Sequence, residues 1–199
     1  MKFLQLLTAE PIAGVKNVHP AYSSVLITFD PLAIARQKLQ AILCGYVDRL
    51  GDVPLPEPKQ LEIPVCYGDD FGPDLRALAS SHGMTPTDVI GLHSSAEYLV
   101  HFLGFVPGFA YLGGLPDVLS TPRLSSPRKI VPAGSVGIGD HQTGVYPFAT
   151  PGGWQVIGRT PVAMFRPNRN DMSLLSMGDR VRFTPISREK FAALEGQEA

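Results

Sequence analysis

The sequence has only two cysteines in 199 residues, Cys44 and Cys66. Neither sits in a CxxC pair or near paired histidines, which excludes zinc-ribbon and thioredoxin-type chemistry. Both are expected as buried free thiols, unjoined in a reducing compartment. An excess of charge of either sign is also missing. Seventeen Lys and Arg stand against 18 Asp and Glu, a formal net charge of -1. That leaves no long-range field for gathering nucleic acid. No apolar run approaches the roughly 20 residues of a membrane helix. Met1 to Leu7 has the start of a signal-like run, but it is too short, and Glu10-Pro11 interrupts where a cleavage site would stand. A cytoplasmic protein without membrane or nucleic-acid partners is expected. No HExxH or DxDxDG metal motif, no GxxxxGK(S/T) phosphate loop and no GxSxG elbow occurs. Ser135, between Gly134 and Val136, has no evident base to activate it.

What is present is concentrated between His93 and Phe165. Glycine, proline and aromatic residues gather there, including the sole tryptophan, Trp154. Three turn clusters, Phe105-Val106-Pro107-Gly108, Gly113-Gly114-Leu115-Pro116 and Thr150-Pro151-Gly152-Gly153, separate short apolar segments. Glycine opens backbone angles that other residues avoid, and proline fixes φ. This pattern predicts an all-β core with shaped loops.

In chain order, Met1 to Leu7 reads as the end of a helix, and Val18 with Ser23 to Phe29 as a strand ended by Asp30-Pro31. Apolar spacings of three and four over Leu32 to Leu50 predict an amphipathic helix whose Leu39, Ile42 and Leu43 face the preceding strand. The proline-rich stretch Gly51 to Lys59 reads as a linker, which divides the chain into a small α+β domain, 1–58, and a second domain, 59–199. The first is small for a self-sufficient core. Gln60 to Tyr67 alternates as a half-buried strand. Gly72 to His82 is a short helix stopped by Gly83, and Thr85-Pro86-Thr87-Asp88 starts another. Glu97 to Leu103 is a strand with Tyr98, Val100 and Phe102 on one face. Arg166 to Asp171 is a polar loop, Gly178 to Phe183 a turn and closing strand, and Ser187 to Ala199 a charged surface helix.

Polar residues beside the glycines are the candidates for chemistry. His93, at a helix end, is either a cap or a site residue, and His101 either lines a barrel or belongs to its core. Tyr111 is a core aromatic or a pocket hydroxyl. Gln142 and Tyr146 can hydrogen-bond a small polar ligand. Arg159, in an apolar segment, needs an internal carboxylate or a ligand anion. Arg123, Arg128 and Lys129 form the one basic cluster of the stretch: a solvated loop, an anion grip or a docking surface.

Four segments also carry a resemblance. Phe105-Val106-Pro107-Gly108-Phe109-Ala110-Tyr111-Leu112-Gly113-Gly114-Leu115, Val131-Pro132-Ala133-Gly134-Ser135-Val136-Gly137-Ile138, Gln142-Thr143-Gly144-Val145-Tyr146-Pro147 and Pro151-Gly152-Gly153-Trp154-Gln155-Val156-Ile157-Gly158-Arg159-Thr160-Pro161 resemble, in that order, the family of 5-oxoprolinase B subunits. The family is also called the KipI family, or allophanate hydrolase subunit 1, and the likeness runs from about Val18 to Ile186. It implies a mainly β protein: a C-terminal cyclophilin-like β-barrel with a small α+β domain. Family members begin with a further strand and most of a helix ahead of the position of Leu4, so that domain is expected to be shortened. The resemblance implies partners, a sister barrel that is the 5-oxoprolinase C subunit together with the A subunit, and the ATP-dependent opening of 5-oxo-L-proline to L-glutamate. It implies His93 and Tyr111 as catalytic residues and Gln142, Tyr146 and Arg159 around the substrate, with Arg159 on its carboxylate and His93 shuttling protons. Arg123, Arg128 and Lys129 are the expected contacts to ATP and its magnesium, shared with the partner subunits; no protein-bound metal is expected. The resemblance also admits two other roles: inhibition of a sensor histidine kinase and a part in urea or allophanate processing.

Overall fold

The computed structural model describes residues 1–55, 57–168 and 170–195. The chain falls into two compact units, Met1–Glu57 and Pro58–Ala199.

In the first unit, helix α1 (Lys2–Ala9) precedes an antiparallel hairpin of β1 (Val15–Pro20) and β2 (Val25–Phe29), then helix α2 (Arg36–Asp48). Leu6, Leu7 and Tyr46 are its buried centre, with Val18, Ile27, Ile42 and Leu43 packed against them. The Tyr46 hydroxyl donates to the Glu10 carbonyl at 2.7 Å and ties the end of α1 to α2. Helix α2 starts four residues later than its apolar spacing suggests. Asp30 accepts the Leu32 amide on its side chain and the Ala33 and Ile34 amides on its carbonyl, a local turn that competes with helix. Leu32 is left 98% exposed. Cys44 also departs from expectation: it is exposed on the outer face of α2, while Cys66 is buried.

The second unit is a closed seven-stranded barrel in the order β10-β3-β11-β4-β5-β8-β7. Its strands are β3 (Gln60–Tyr67), β4 (Tyr98–Leu103), β5 (Ala110–Gly113), β7 (Ser135–Gly139), β8 (Gln142–Val145), β10 (Gln155–Arg159) and β11 (Arg180–Pro185). β3 and β11 run parallel; the other pairs are antiparallel. Ile63, Val65, Val100, Leu112, Ile138, Val181 and Phe183 fill the core. Alternation on β4 breaks at a register shift between Val100 and Phe102, so Phe102 leaves the core and stacks on Tyr111 at 4.4 Å. Outside the barrel, β6 (Arg128–Val131) pairs with β9 (Thr150–Gly152) as a separate two-stranded flap. Gly134 follows β6 at φ +78°, and a Cβ there would stand 2.3 Å from the Thr160 carbonyl oxygen, so the turn into β7 requires glycine.

Helices α3 (Leu75–Ser81) and α4 (Pro86–Ser95) contribute Leu75, Leu78, Ala79 and Val89 to the barrel's core cluster. Gly83, at φ +66°, follows the end of α3. Thr85 caps α4 in a full capping box, its hydroxyl accepting the Asp88 amide while Asp88 accepts the Thr85 amide. Thr85→Ala should lower stability by about 1 kcal/mol, read as a shift in the urea midpoint at unchanged slope. The expected C-terminal helix is present as α5 (Arg188–Glu195); residues 196–199 lie outside the described residues, as does residue 169 of the expected polar loop and residue 56 of the expected linker. Among the described residues no helix is long and apolar enough to cross a membrane.

Candidate functional site

The β6–β9 flap and the barrel wall beneath it enclose a cleft of about 310 Å³. Phe109 is the hub of its floor. The rings of Tyr111, Tyr146 and Trp154 stand edge-on to it at 5.0, 5.4 and 5.4 Å, and Phe105 closes the mouth at 5.5 Å. Edge-to-face contacts of this kind hold aromatic rings in fixed orientations. β9 can lie flat on this cluster only because residue 152 is glycine: a Cβ there would come within 2.5 Å of the Tyr146 hydroxyl. Burial pushes the Tyr146 phenol above its ordinary pKa, so at neutral pH it keeps its proton and can donate it in a hydrogen bond. Phe105 is 58% exposed and holds a left-handed φ of +68°. A bulky side chain in that region is an outlier that clusters at ligand sites.

Two arginines frame the flap. Arg123 lines the cleft; its Nε donates to Asp140 at 3.1 Å and its guanidinium lies 5.9 Å from the Trp154 ring centroid. Asp140 occupies the tight turn between β7 and β8 at φ +56°, a conformation that Asp tolerates better than most residues. Arg128 is committed elsewhere. One of its η nitrogens donates to Asp74 at 2.6 Å and the other reaches the Trp154 carbonyl at 3.4 Å. Asp74 in turn accepts the Val156 amide at 2.6 Å, while its own amide donates to the Val156 carbonyl at 2.9 Å. This clamp joins the start of α3, β10 and the flap.

The candidates drawn from the sequence therefore separate. Tyr111, Tyr146 and Arg123 share the cleft. Gln142 is half-buried at the start of β8, opposite Gly139, and is not among the lining residues. Arg159 turns to α5: its Nε donates to the Ala133 carbonyl at 2.8 Å, and it lies 4.0 Å from the Glu195 carboxylate and over Phe191. Its close partner is thus a backbone carbonyl, with the half-exposed Glu195 carboxylate at the outer limit of ion-pair distance. Lys129 is exposed on β6. His101 is half-buried against Gly113, where a Cβ would meet its ring. Sequence reasoning misses Asp74, Phe105 and Phe109. Asp74 precedes a helix and reads as a plain cap, and nothing local signals an arginine 54 residues away.

His93 is in the barrel core, fully buried and stacked on Phe183 at 4.7 Å. Thr143 spends its one proton on the Gly137 carbonyl at 2.9 Å, so its oxygen accepts the Nε2 hydrogen of His93, also at 2.9 Å. Nδ1 is then bare and accepts the Tyr67 hydroxyl at 2.8 Å. Desolvation pushes the imidazole pKa down to about 3. The buried ring, bonded to Thr143 and Tyr67, is not among the residues that line the cleft.

The three basic residues expected around ATP do not converge. Arg128 is held by Asp74, Lys129 is exposed, and Arg123 is the one cation of the cleft. One guanidinium does not fit a triphosphate.

The family model "Carboxyltransferase domain, subdomain C and D" matches residues 1–175. A 5-oxoprolinase B subunit of Escherichia coli O157:H7 is 58% identical over 176 residues, covering 88% of this chain and 77% of its own. One from Bacillus subtilis strain 168 is 43% identical over 194 residues, 92% of this chain and 81% of its own. The chain belongs to the family of 5-oxoprolinase B subunits. Among solved structures, the crystal structure of TTHA0988 is similar to this family member at a TM-score of 0.82 and 36% identity; the match covers 94% of this chain but 36% of that one, so this chain spans about a third of that relative's length. The Kluyveromyces lactis urea amidolyase, at TM-score 0.75 and 21% identity over 96% of this chain and 13% of its own, shares the fold.

Proposed function

We propose that the chain is a cytoplasmic component of an ATP-dependent 5-oxoprolinase, acting with the A subunit and the sister-barrel C subunit to open 5-oxo-L-proline to L-glutamate, and inactive or weak alone. The observation that carries this reading is the 43–58% identity, over most of the chain, to proteins named as 5-oxoprolinase B subunits. The TTHA0988 chain, most of whose length lies outside the match, supports a larger assembly around this fold. The chemistry needs such an assembly. An unstrained lactam is a poor electrophile. Phosphorylation of its oxygen by ATP, which releases ADP, would make the ring carbon open to attack by water. The ring C–N bond then breaks with the amine leaving, and a second water hydrolyses the resulting acyl phosphate to glutamate and phosphate. With one cation in its cleft, this chain leaves the grip on the nucleotide chiefly to its partners. Its own share is to bind and orient the lactam: the Tyr146 phenol, kept protonated, and Tyr111 are hydrogen-bonding groups in a largely apolar cleft.

A second reading, a component acting on urea-derived substrates, draws on the distant match to urea amidolyases, 25% identical in Lachancea kluyveri over 12% of that protein. Turnover separates the two. The chain, combined with its A and C partners and ATP, should release glutamate and ADP from 5-oxoproline and leave urea untouched. ADP release driven by urea, without glutamate from 5-oxoproline, would favour the second reading.

A further inference from the structure

The make-up of the cleft is selective. Its side walls are aromatic, and among the described residues its one charged group is Arg123 and no carboxylate lines it. With Nε already on Asp140, Arg123 has η nitrogens for no more than one further anionic group. At about 310 Å³ the cleft is at the small end of ligand pockets, which suits a compact ring better than a nucleotide. Arg123 is also pre-oriented. Asp140 takes Nε and Trp154 lies against the guanidinium, while the η nitrogens make no hydrogen bond within the described residues. A planar fork held in this way suits a carboxylate, which it can meet with two parallel hydrogen bonds. The absence of a carboxylate in the lining matters for what is refused. An amino acid would bring an ammonium group into a lining without a carboxylate, Asp140 being already bonded to Arg123, whereas a lactam nitrogen is neutral.

We infer that this cleft holds a small lactam carboxylate, with its carboxylate on the η nitrogens of Arg123 and its ring against Trp154 and Phe109. The choice of ligand rests on the 5-oxoproline reading, and the assignment moves the carboxylate anchor from Arg159 to Arg123. It also makes the cleft selective for substrate over product, since opening the ring creates the ammonium that the lining does not accommodate.

Trp154 is the sole tryptophan, so its emission reports on the cleft directly. Titrating the chain with 5-oxo-L-proline should give a saturable change in that emission, which L-glutamate, L-proline and 2-pyrrolidinone do not reproduce at equal concentration. Arg123 is half exposed and its ion pair lies at the surface, so its replacement should cost little stability. In the assembled complex, Arg123→Ala should raise KM for 5-oxoproline roughly tenfold to a hundredfold, as expected for losing a charge-assisted contact, with KM for ATP unchanged. Arg123→Lys should recover part of the loss, because it keeps the charge without the fork. An Arg123→Ala complex that makes glutamate with the wild-type KM overturns the assignment and leaves the enzyme reading standing. A wild-type complex that makes no glutamate, while Trp154 still responds to 5-oxoproline in an Arg123-dependent way, sinks the enzyme reading and keeps the cleft. Silence in both measurements removes both.

Discussion

Asp74→Ala should destabilise the Pro58–Ala199 unit by about 3–5 kcal/mol, the range for removing one partner of a largely buried ion pair. The Asp74 and Arg128 side chains are 13% and 30% exposed, so the stranded guanidinium has little water to turn to. The loss extends beyond the pair. The Val156 amide in β10 loses its acceptor, and an unsatisfied backbone donor is itself destabilising. Arg128 also reaches the Trp154 carbonyl, so the flap should loosen over the cleft and Trp154 emission should move to longer wavelength. Asp74→Asn keeps an acceptor for Val156 and drops the charge, so its loss should be smaller. Urea denaturation followed by Trp154 emission measures both variants. A loss below about 1 kcal/mol for Asp74→Ala, within the range of exposed pairs, would show the clamp to be incidental.

The second large effect is acid sensitivity set by His93. Its ring has a pKa of about 3 in the fold and near 6.5 in the unfolded chain. Above pH 6.5 both states carry the neutral ring, and its contribution is fully present. Between pH 6.5 and about 3 the unfolded chain binds a proton that the fold refuses, so unfolding is favoured by about 1.4 kcal/mol per pH unit. Below that window the fold takes up the proton as well. Burial is the cause: the charged ring would have no water around it in the core. Nδ1 faces the hydroxyl hydrogen of Tyr67, and Thr143 has already given its proton to Gly137. In His93→Gln the stability curve between pH 7 and 4 should be flatter than in the wild type by that slope. Imidazole resonances should show the Nε2-protonated neutral ring at pH 5. Parallel curves for the two proteins, or a His93 that titrates above pH 5, would contradict this.

Both effects depend on contacts that the linear sequence hides. His93 meets Tyr67 and Thr143 across separations of 26 and 50 residues, and Asp74 meets Arg128 and Val156 across 54 and 82. Local chemistry is far more legible. The alternation of Leu61, Ile63 and Val65 marks β3, and the Thr85–Asp88 spacing marks the cap of α4, because each is decided within a few residues. Where local rules compete, periodicity misleads: the Asp30 turn delays α2, and the register shift after Val100 turns Phe102 out of the core. The flap leaves no clear trace in the sequence, since β6 and β9 are short and pair across the intervening barrel strands. In the cleft, Tyr111 and Tyr146 stand out in the sequence by their flanking glycines. Bringing them together with Arg123, and directing Arg159 to Glu195 instead, are results of barrel closure and of the docking of α5.

The central proposal, an obligatory component of a 5-oxoproline-opening complex, is tested most directly by omission. ATP hydrolysis dependent on 5-oxoproline, with glutamate measured alongside, is compared for the A and C partners with and without this chain. Glutamate and ADP should form in step when the chain is present and fall to background when it is left out. Equal turnover without it would contradict the account.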